Sequence, residues 1–506
     1  MNRTTLSLIA ATVALAAVTG FAGATSGGGS DDAPAKAAAR LPVERSSLLC
    51  PSPSASDLAE TAYGAYTPPS KDTEDGGAAR LLPAGTDATD GADQKADQSK
   101  SKGKGEDKEQ KPVLTPKAPG KPVEGEADGA DAPALIGTAD GALAPGWTVQ
   151  QTTSVSAGTG RGLLGLSCSA PDTDFWFPGV STDADRSDYL HLTNPDDEAA
   201  VVDVQLAGPD GAIKSDVGEG IQVGPHSSVP VLLSTLTEKP YPNLTAHVTA
   251  RSGRVAAAVS AADAKLGGDW LPAAADPAGT LVLPGIPKDA TNARLVVFAP
   301  GQDDADLKVQ LATGTGRISP AGHATLHVKS GMTSAVDLGE VTRGEPGSLI
   351  LSPTEDSVPV VAALRVTRGK GADQETAFIP ATRDIGTRAT VAGNPAKGVT
   401  LALTAPDAAA KVKVTASPGT GGGTATTKEY TVRAGTTLSV APPVPSGLKG
   451  TYALTVEPVS GGPVHASRTL AEEQDGVPAF TVQTLPDDRG TVFVPQADED
   501  LAVLQR

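Results

Sequence analysis

An internal repeat constrains the fold of this chain more than any other feature of its sequence. Residues 189–206 align with residues 294–311 without a gap, and the alignment places Pro195 on Pro300. A third copy brings Pro406 to the same place after a one-residue deletion. A fixed period of this kind indicates repeated structural units. We therefore predict three units of one topology, with the three prolines at equivalent strand ends.

The residues inside each unit follow a strand pattern. Apolar side chains alternate with polar ones, as at Leu190 and Leu192, and alternation with a period of two is typical of half-buried strands. About seven short strands in about 100 residues is the pattern of an immunoglobulin-like sandwich. The fold class predicted is all-β. The expected tandem immunoglobulin-like β-sandwich domains cover residues 134–274, 275–384 and 385–495.

The N-terminal segment 1–24 reads as an export signal, since a single basic residue, Arg3, precedes an apolar run. Small residues favour cleavage after Ala24, and an uncleaved single-pass anchor is the alternative because roughly 20 apolar residues can span a bilayer. Either outcome predicts an extracellular or cell-envelope location, with membrane contact only through this segment. The net charge of −18 argues against nucleic acid as a partner, because an acidic chain repels phosphate.

Between the export segment and the repeats, composition predicts a cysteine-containing segment, 41–66, that packs on the first domain. A charged and Pro-rich stretch, 67–133, follows it. The stretch has no aromatic residue, and such a composition favours a disordered linker, with a docking tail as the alternative. Cys50 and Cys168 are the two cysteines of the chain, and in an exported protein they are expected to form a disulfide, with free thiols as the alternative.

A search for chemistry yields candidates for a ligand surface rather than a catalytic motif. Nucleophile elbows, zinc helices and phosphate-binding loops do not occur in the sequence, so we expect no cofactor and no metal site. Trp176 alternates with two core phenylalanines, and it is either a core residue or an exposed platform for a sugar. Asp183, Asp185 and Asp188 are either solvated loop charges or carboxylates that hold calcium or cleave a glycoside.

The stretch 168–179, CSAPDTDFWFPG, together with LLCP at 48–51 and LTNP at 192–195, resembles a family of uncharacterised exported actinomycete proteins. In that family an N-terminal hydrophobic segment precedes β-rich extracellular domains, often beside a cell-wall glycosyltransferase. The resemblance implies a role in the cell envelope and transfers no catalytic residue.

Two functions are consistent with these features. The first is a non-enzymatic envelope protein whose sandwiches act as a scaffold or as a binding module for a cell-wall glycan or an envelope protein. The alternative is a glycan-active enzyme or accessory with a carboxylate site in the first domain. That site would require the aspartates to converge with Trp176.

Overall fold

The computed structural model describes residues 39–70, 76–86, 111–474 and 476–494. The export segment and its cleavage site lie outside these residues. The described chain has no helix with the length and apolar character needed to cross a membrane. Its helical content is limited to three short 3-10 turns: Gly141–Leu143, Leu233–Leu236 and Gly371–Asp373. The all-β fold class is confirmed.

Residues 42–491 form one compact unit, and its strands build four successive sandwiches, I to IV. The first strand of the chain, β1, is Ala39–Pro42. Sandwich I contains β2 (Arg45–Cys50), β3 (Ala59–Tyr66), β4 (Ala79–Pro83), β6 (Val123–Asp128), β7 (Leu135–Asp140), β8 (Thr148–Val155) and β9 (Gly162–Ser167), while the two-residue β5 (Gly85–Thr86) joins a sheet of sandwich II. Sandwich II contains β10 (Asp174–Val180), β11 (Arg186–Thr193), β12 (Ala200–Gly208), β13 (Gly211–Ile213), β14 (Ile221–Val223), β15 (Ser227–Leu232), β16 (Leu244–Ser252), β17 (Ala256–Asp263) and β18 (Gly267–Pro272).

The next two sandwiches repeat this arrangement. Sandwich III contains β19 (Leu281–Ile286), β20 (Asn292–Phe298), β21 (Ala305–Thr313), β22 (Arg317–Ile318), β23 (Thr325–Val328), β24 (Thr333–Asp337), β25 (Gly347–Pro353), β26 (Val361–Arg368) and β27 (Glu375–Pro380). Sandwich IV contains β28 (Ala389–Asn394), β29 (Val399–Ala405), β30 (Ala410–Pro418), β31 (Thr426–Val432), β32 (Thr436–Val440), β33 (Tyr452–Gly461), β34 (His465–Gln474) and β35 (Val477–Thr484).

Sandwiches II to IV share one topology, as the repeat predicts. One sheet has the orders β10-β16-β12, β19-β25-β21 and β28-β33-β30, and the other has β15-β11-β17-β18, β24-β20-β26-β27 and β32-β29-β34-β35. Pro195 and Pro300 each lie two residues after the second strand of their sandwich, and Pro406 lies one residue after its strand. Proline lacks the amide hydrogen that a ladder requires, so it ends these strands. The predicted equivalence of the three prolines is confirmed.

The first strand of each repeat carries a β-bulge at an equivalent place. The register shifts next to Gly179 in β10, Gly285 in β19 and Gly393 in β28. The φ angles of these glycines are 103°, 91° and 66°, a region that favours residues without a Cβ atom. The bulges therefore explain the Pro-Gly dipeptides at 178–179 and 284–285.

The predicted linker 67–133 needs a correction, because β4, β5 and β6 lie inside it, while its residues 71–75 and 87–110 lie outside the described residues. The strands β2, β7 and β4 form one sheet and β6, β3, β8 and β9 form the other, so the described residues between 42 and 168 form a fourth sandwich with the connectivity of the repeats. The predicted boundary of the first domain at residue 134 is therefore wrong. The core of sandwich I is built from small and aliphatic side chains with Trp147 and Tyr63, so the low aromatic content of the stretch was a poor guide.

The four sandwiches of this unit close into a ring. Strand β10 of II packs on β20 and β26 of III, β19 of III packs on β29 and β34 of IV, and β28 of IV packs on β3 and β8 of I. Sandwich I meets II where Leu164 and Leu166 contact Ala258 and Trp270. The last strands β9, β18, β27 and β35 contact one another at the centre of the ring.

A second unit consists of residues 1–41 and 492–506. Of its residues, 39–41 and 492–494 are described, and β1 pairs with β36 (Thr491–Val494). The Arg40 guanidinium lies 5.4 Å from the centroid of the Phe493 ring.

Candidate functional site

A cleft of about 260 Å³ opens where sandwich II meets sandwich III. Sandwich II contributes the start of β11 with Arg186, the loop with Asp183 and Asp185, and the turn between β17 and β18. Sandwich III contributes β20 and β26. Ionisable side chains of both signs line the cleft, so it suits a polar ligand.

Arg186 and Asp188 form a buried ion pair beside the cleft. The Arg186 Nε and Nη2 atoms donate to the two carboxylate oxygens at 2.9 and 2.7 Å, and the Ser181 amide donates to the same carboxylate. Burial raises the pKa of Asp188, and the guanidinium opposes that rise. Both oxygens of Asp188 already accept hydrogen bonds from within the protein, so this carboxylate is not available to a ligand.

The turn between β17 and β18 supplies a second set of paired charges. Lys265 Nζ lies 2.6 Å from Asp185 Oδ2 near the surface. Asp263 Oδ1 accepts hydrogen bonds from the amides of Lys265 and Leu266 at 2.9 and 3.0 Å. These contacts fix the turn and occupy one oxygen of Asp263, whose other oxygen faces sandwich III.

Arg294 and Arg365 lie on β20 and β26 as direct cross-strand partners. The Arg365 Nη1 atom is 3.8 Å from Asp263 Oδ2, and the Arg294 Nη1 atom is 3.9 Å from Asp337 Oδ2. Burial, followed by the charge of Arg186, lowers the pKa of Arg365 to about 10. Two like charges, each in a long ion pair with one carboxylate, therefore border the cleft.

The structure separates the residues of the candidate ligand surface. Asp183 and Asp185 line the cleft, whereas Trp176 is 9 % exposed and does not border it. Its ring stacks on His247 with centroids 3.6 Å apart and on Phe298 with centroids 5.7 Å apart. Trp176 is thus a buried interface residue between II and III, which agrees with the core alternative and not with an exposed sugar platform.

Arg294 and Arg365 are cleft residues that were not predicted from the sequence. The repeat alignment contained a signal, because Arg294 stands where the other units carry Tyr189 and Thr400. Its cross-strand partner could not be read from the sequence. A group of three or more His, Cys, Asp or Glu side chains that could hold a metal ion does not occur within the described residues.

The disulfide between Cys50 and Cys168 is present and confirms that prediction. Cys50 ends β2 and Cys168 follows β9, so the bond joins the two sheets of sandwich I. Backbone hydrogen bonds between Leu49 and Ser169 flank it.

The model of a family of unknown function, DUF5719, matches residues 123–443, which is more than half of the chain. The chain belongs to the DUF5719 family. The match begins at β6 in sandwich I and ends shortly after β32 in sandwich IV, so it includes the cleft and both sandwiches that form it. No curated protein matches this DUF5719 chain.

Proposed function

We propose that this DUF5719 protein is an exported, non-enzymatic component of the cell envelope. Its four sandwiches form a rigid scaffold that presents a binding cleft to a cell-wall glycan or an envelope protein. The observation that carries the proposal is the buried Asp269 at the centre of the ring. Its carboxylate accepts hydrogen bonds from the Gly165 amide of I and the Thr481 hydroxyl of IV. One residue of sandwich II thereby links three sandwiches.

A second contact supports rigidity at one end of the same centre. Arg161, next to β9 of sandwich I, donates to the carbonyl oxygens of Lys265 in II and of Ala372 and Gln374 in III. One arginine that bonds to two other sandwiches restricts their relative motion, which inter-domain interfaces otherwise permit. The fixed spacing of the sandwiches suits a spacer or a docking platform.

Export is supported by the disulfide and by the N-terminal sequence. Structural disulfides persist in oxidising compartments and are rare in the cytoplasm. The apolar run before Ala24 provides an export signal. The resemblance of the CSAPDTDFWFPG stretch to exported actinomycete proteins agrees with both features.

The contacts of the aspartates favour a scaffold over a glycan-cleaving enzyme. Asp188 is buried and ion-paired with Arg186, and Asp185 is paired with Lys265. Trp176 packs in a different contact, against His247. The enzymatic alternative requires these carboxylates to converge with the tryptophan. Their separate contacts do not favour that arrangement.

Cell fractionation combined with wall sedimentation tests the proposal. We expect the protein outside the cytoplasmic membrane, accessible to protease added to intact cells, and we expect the purified protein to sediment with isolated cell walls. Recovery of the protein in the cytoplasm, or failure to sediment with walls or with any envelope fraction, would contradict the proposal.

A further inference from the structure

The arginine pair in the cleft is unfavourable for the sheet that carries it. Arg294 and Arg365 occupy directly opposite positions on β20 and β26, where Cβ atoms are about 5 Å apart. Like charges in this arrangement repel each other and destabilise strand pairing. The pairing of these two strands therefore gives no reason for two arginines at these positions.

The other repeats show that the fold accepts neutral residues at the same place. Six residues before the conserved proline position, sandwich II pairs Tyr189 with Ser260, and sandwich IV pairs Thr400 with Thr469. Sandwich III is thus the unit, among the three repeats, that has exchanged an uncharged pair for two arginines. The exchange coincides with the cleft, since both arginines line it.

The ion pairs of the two arginines lack hydrogen bonds. Asp263 lies 3.8 Å from Arg365 and Asp337 lies 3.9 Å from Arg294, which is within ion-pair range and beyond hydrogen-bond distance. The Arg294 Nε atom is buried and has no hydrogen-bond partner. Arg186, the third guanidinium of the cleft, already donates to Asp188. The unpaired Arg294 donor and the long ion pairs are features that an anionic ligand can improve.

We propose that the cleft binds an oxyanion, the carboxylate or phosphate group of a single acidic sugar, through Arg294 and Arg365. A guanidinium presents two parallel N–H donors that match either group. The volume of about 260 Å³ lies just below the range of roughly 300–1,000 Å³ typical of small-molecule pockets, so it takes one terminal residue rather than a chain.

The acidic wall of the cleft sets the charge of the ligand. Asp183, Asp185 and Asp263 line the side that belongs to sandwich II. Carboxylates repel a densely charged polyanion but accept hydrogen bonds from sugar hydroxyls. A sugar with one negative group at the arginines and neutral hydroxyls toward sandwich II would be complementary to both sides of the cleft. This inference rests on the proposed role as a binding scaffold and names the ligand class.

Isothermal titration calorimetry of the purified protein with three probes tests the inference: glucuronate for a carboxylate source, glucose 1-phosphate for a phosphate source, and glucose as the neutral comparison. We expect saturable binding of at least one anionic probe and none of glucose. Arg365→Gln should weaken that binding at least about 10-fold, since a hydrogen bond to a charged group is lost. Arg294→Gln, at a more exposed position, should weaken it as well.

Arg343→Gln is the matched control, because Arg343 is an exposed arginine of the same sandwich outside the cleft. It makes the same change in net charge and should leave binding unaltered. Thermal melts should show that Arg365→Gln is folded, with a midpoint no lower than that of the parent, since a repulsion has been removed. Absence of saturable binding of both anions, or equal binding by the parent and both cleft variants, would overturn the inference.

The outcome separates this inference from the proposed function. If the parent and both cleft variants bind cell walls equally well and none of them binds an anion, the oxyanion site is overturned and the scaffold role still stands. Anion binding that depends on Arg365, in a protein found in the cytoplasm, would support the site and contradict the envelope role.

Discussion

Asp269 and Thr481 are 212 residues apart in the chain, yet the Thr481 hydroxyl donates to both carboxylate oxygens of Asp269 at 3.1 Å in a buried site. The contact joins the last strand of sandwich II to the last strand of sandwich IV. Burial raises the pKa of Asp269 well above its usual range, and the amide of Gly165 opposes that rise most strongly. The buried carboxyl group of Asp269 therefore joins strands at the centre of the ring, and its burial is tolerated because these donors satisfy it.

Replacing Asp269 by alanine should destabilise the ring by about 3 kcal/mol, because buried donors lose their acceptor. The Gly165 amide and the Thr481 hydroxyl would both be left without it. Urea denaturation measures the change in the free energy of unfolding. Asp269→Asn is the control, since an amide oxygen still accepts from Gly165, and it should cost less than half as much. Equal stability of the alanine variant and the parent would show that the contact does not hold the ring.

Glu375 should make the protein less stable as the pH rises. Burial raises its pKa to about 7, and Arg161, 3.4 Å away, opposes the rise. The folded state therefore holds the proton more tightly than the unfolded state, and stability falls from about pH 4.5 to pH 7. Glu375→Gln should remove that part of the pH dependence, up to about 3 kcal/mol between pH 5 and pH 8. Parallel stability curves for the variant and the parent would contradict the assignment.

Loss of the disulfide should weaken sandwich I. The bond closes a loop between residues separated by 118 positions, and loop closure of that size is worth about 4 to 5 kcal/mol in the chain-entropy model. Cys50→Ser with Cys168→Ser should lower the free energy of unfolding by an amount of this order. Denaturation of the parent with and without dithiothreitol provides the comparison, and identical curves would contradict the role of the bond.

The bulge glycine of sandwich III should not tolerate a side chain. A Cβ atom at Gly285 would lie 2.0 Å from Ser467 Oγ of sandwich IV, and the φ angle of 91° is strained for other residues. Gly285→Ala should therefore destabilise the protein by about 2 kcal/mol or more. Gly301→Ala is the control, because nothing lies within 4 Å of its Cβ position, and its melting temperature should match that of the parent.

The repeats were predictable because their determinants are local. Alternating leucines such as Leu190 and Leu192 and the prolines after each second strand define strand type and strand ends within a few residues. The gapless alignment then fixed the register, since a slip by one residue would turn the apolar side chains outward. The structure confirms these elements in all three repeats.

Sandwich I and the cleft depend on contacts that are distant in sequence. A charged stretch follows residue 86 and separates β4 from β6 in the sequence. Because the composition of this region is typical of a linker, strand β4 was not predicted, although its Leu81 is fully buried. The pairing of Arg294 with Arg365 appears only when β20 and β26 lie side by side. The two alternatives for Trp176 stayed open because alternation gives the face of a residue and not the neighbour that covers that face.

Differential scanning calorimetry of the purified protein tests whether the four sandwiches act as one rigid scaffold. A ring joined through Asp269 and Arg161 should unfold in a single transition whose calorimetric and van't Hoff enthalpies have a ratio of about 1. Two or more separable transitions, or a calorimetric enthalpy several times the van't Hoff value, would show independent domains and contradict the account.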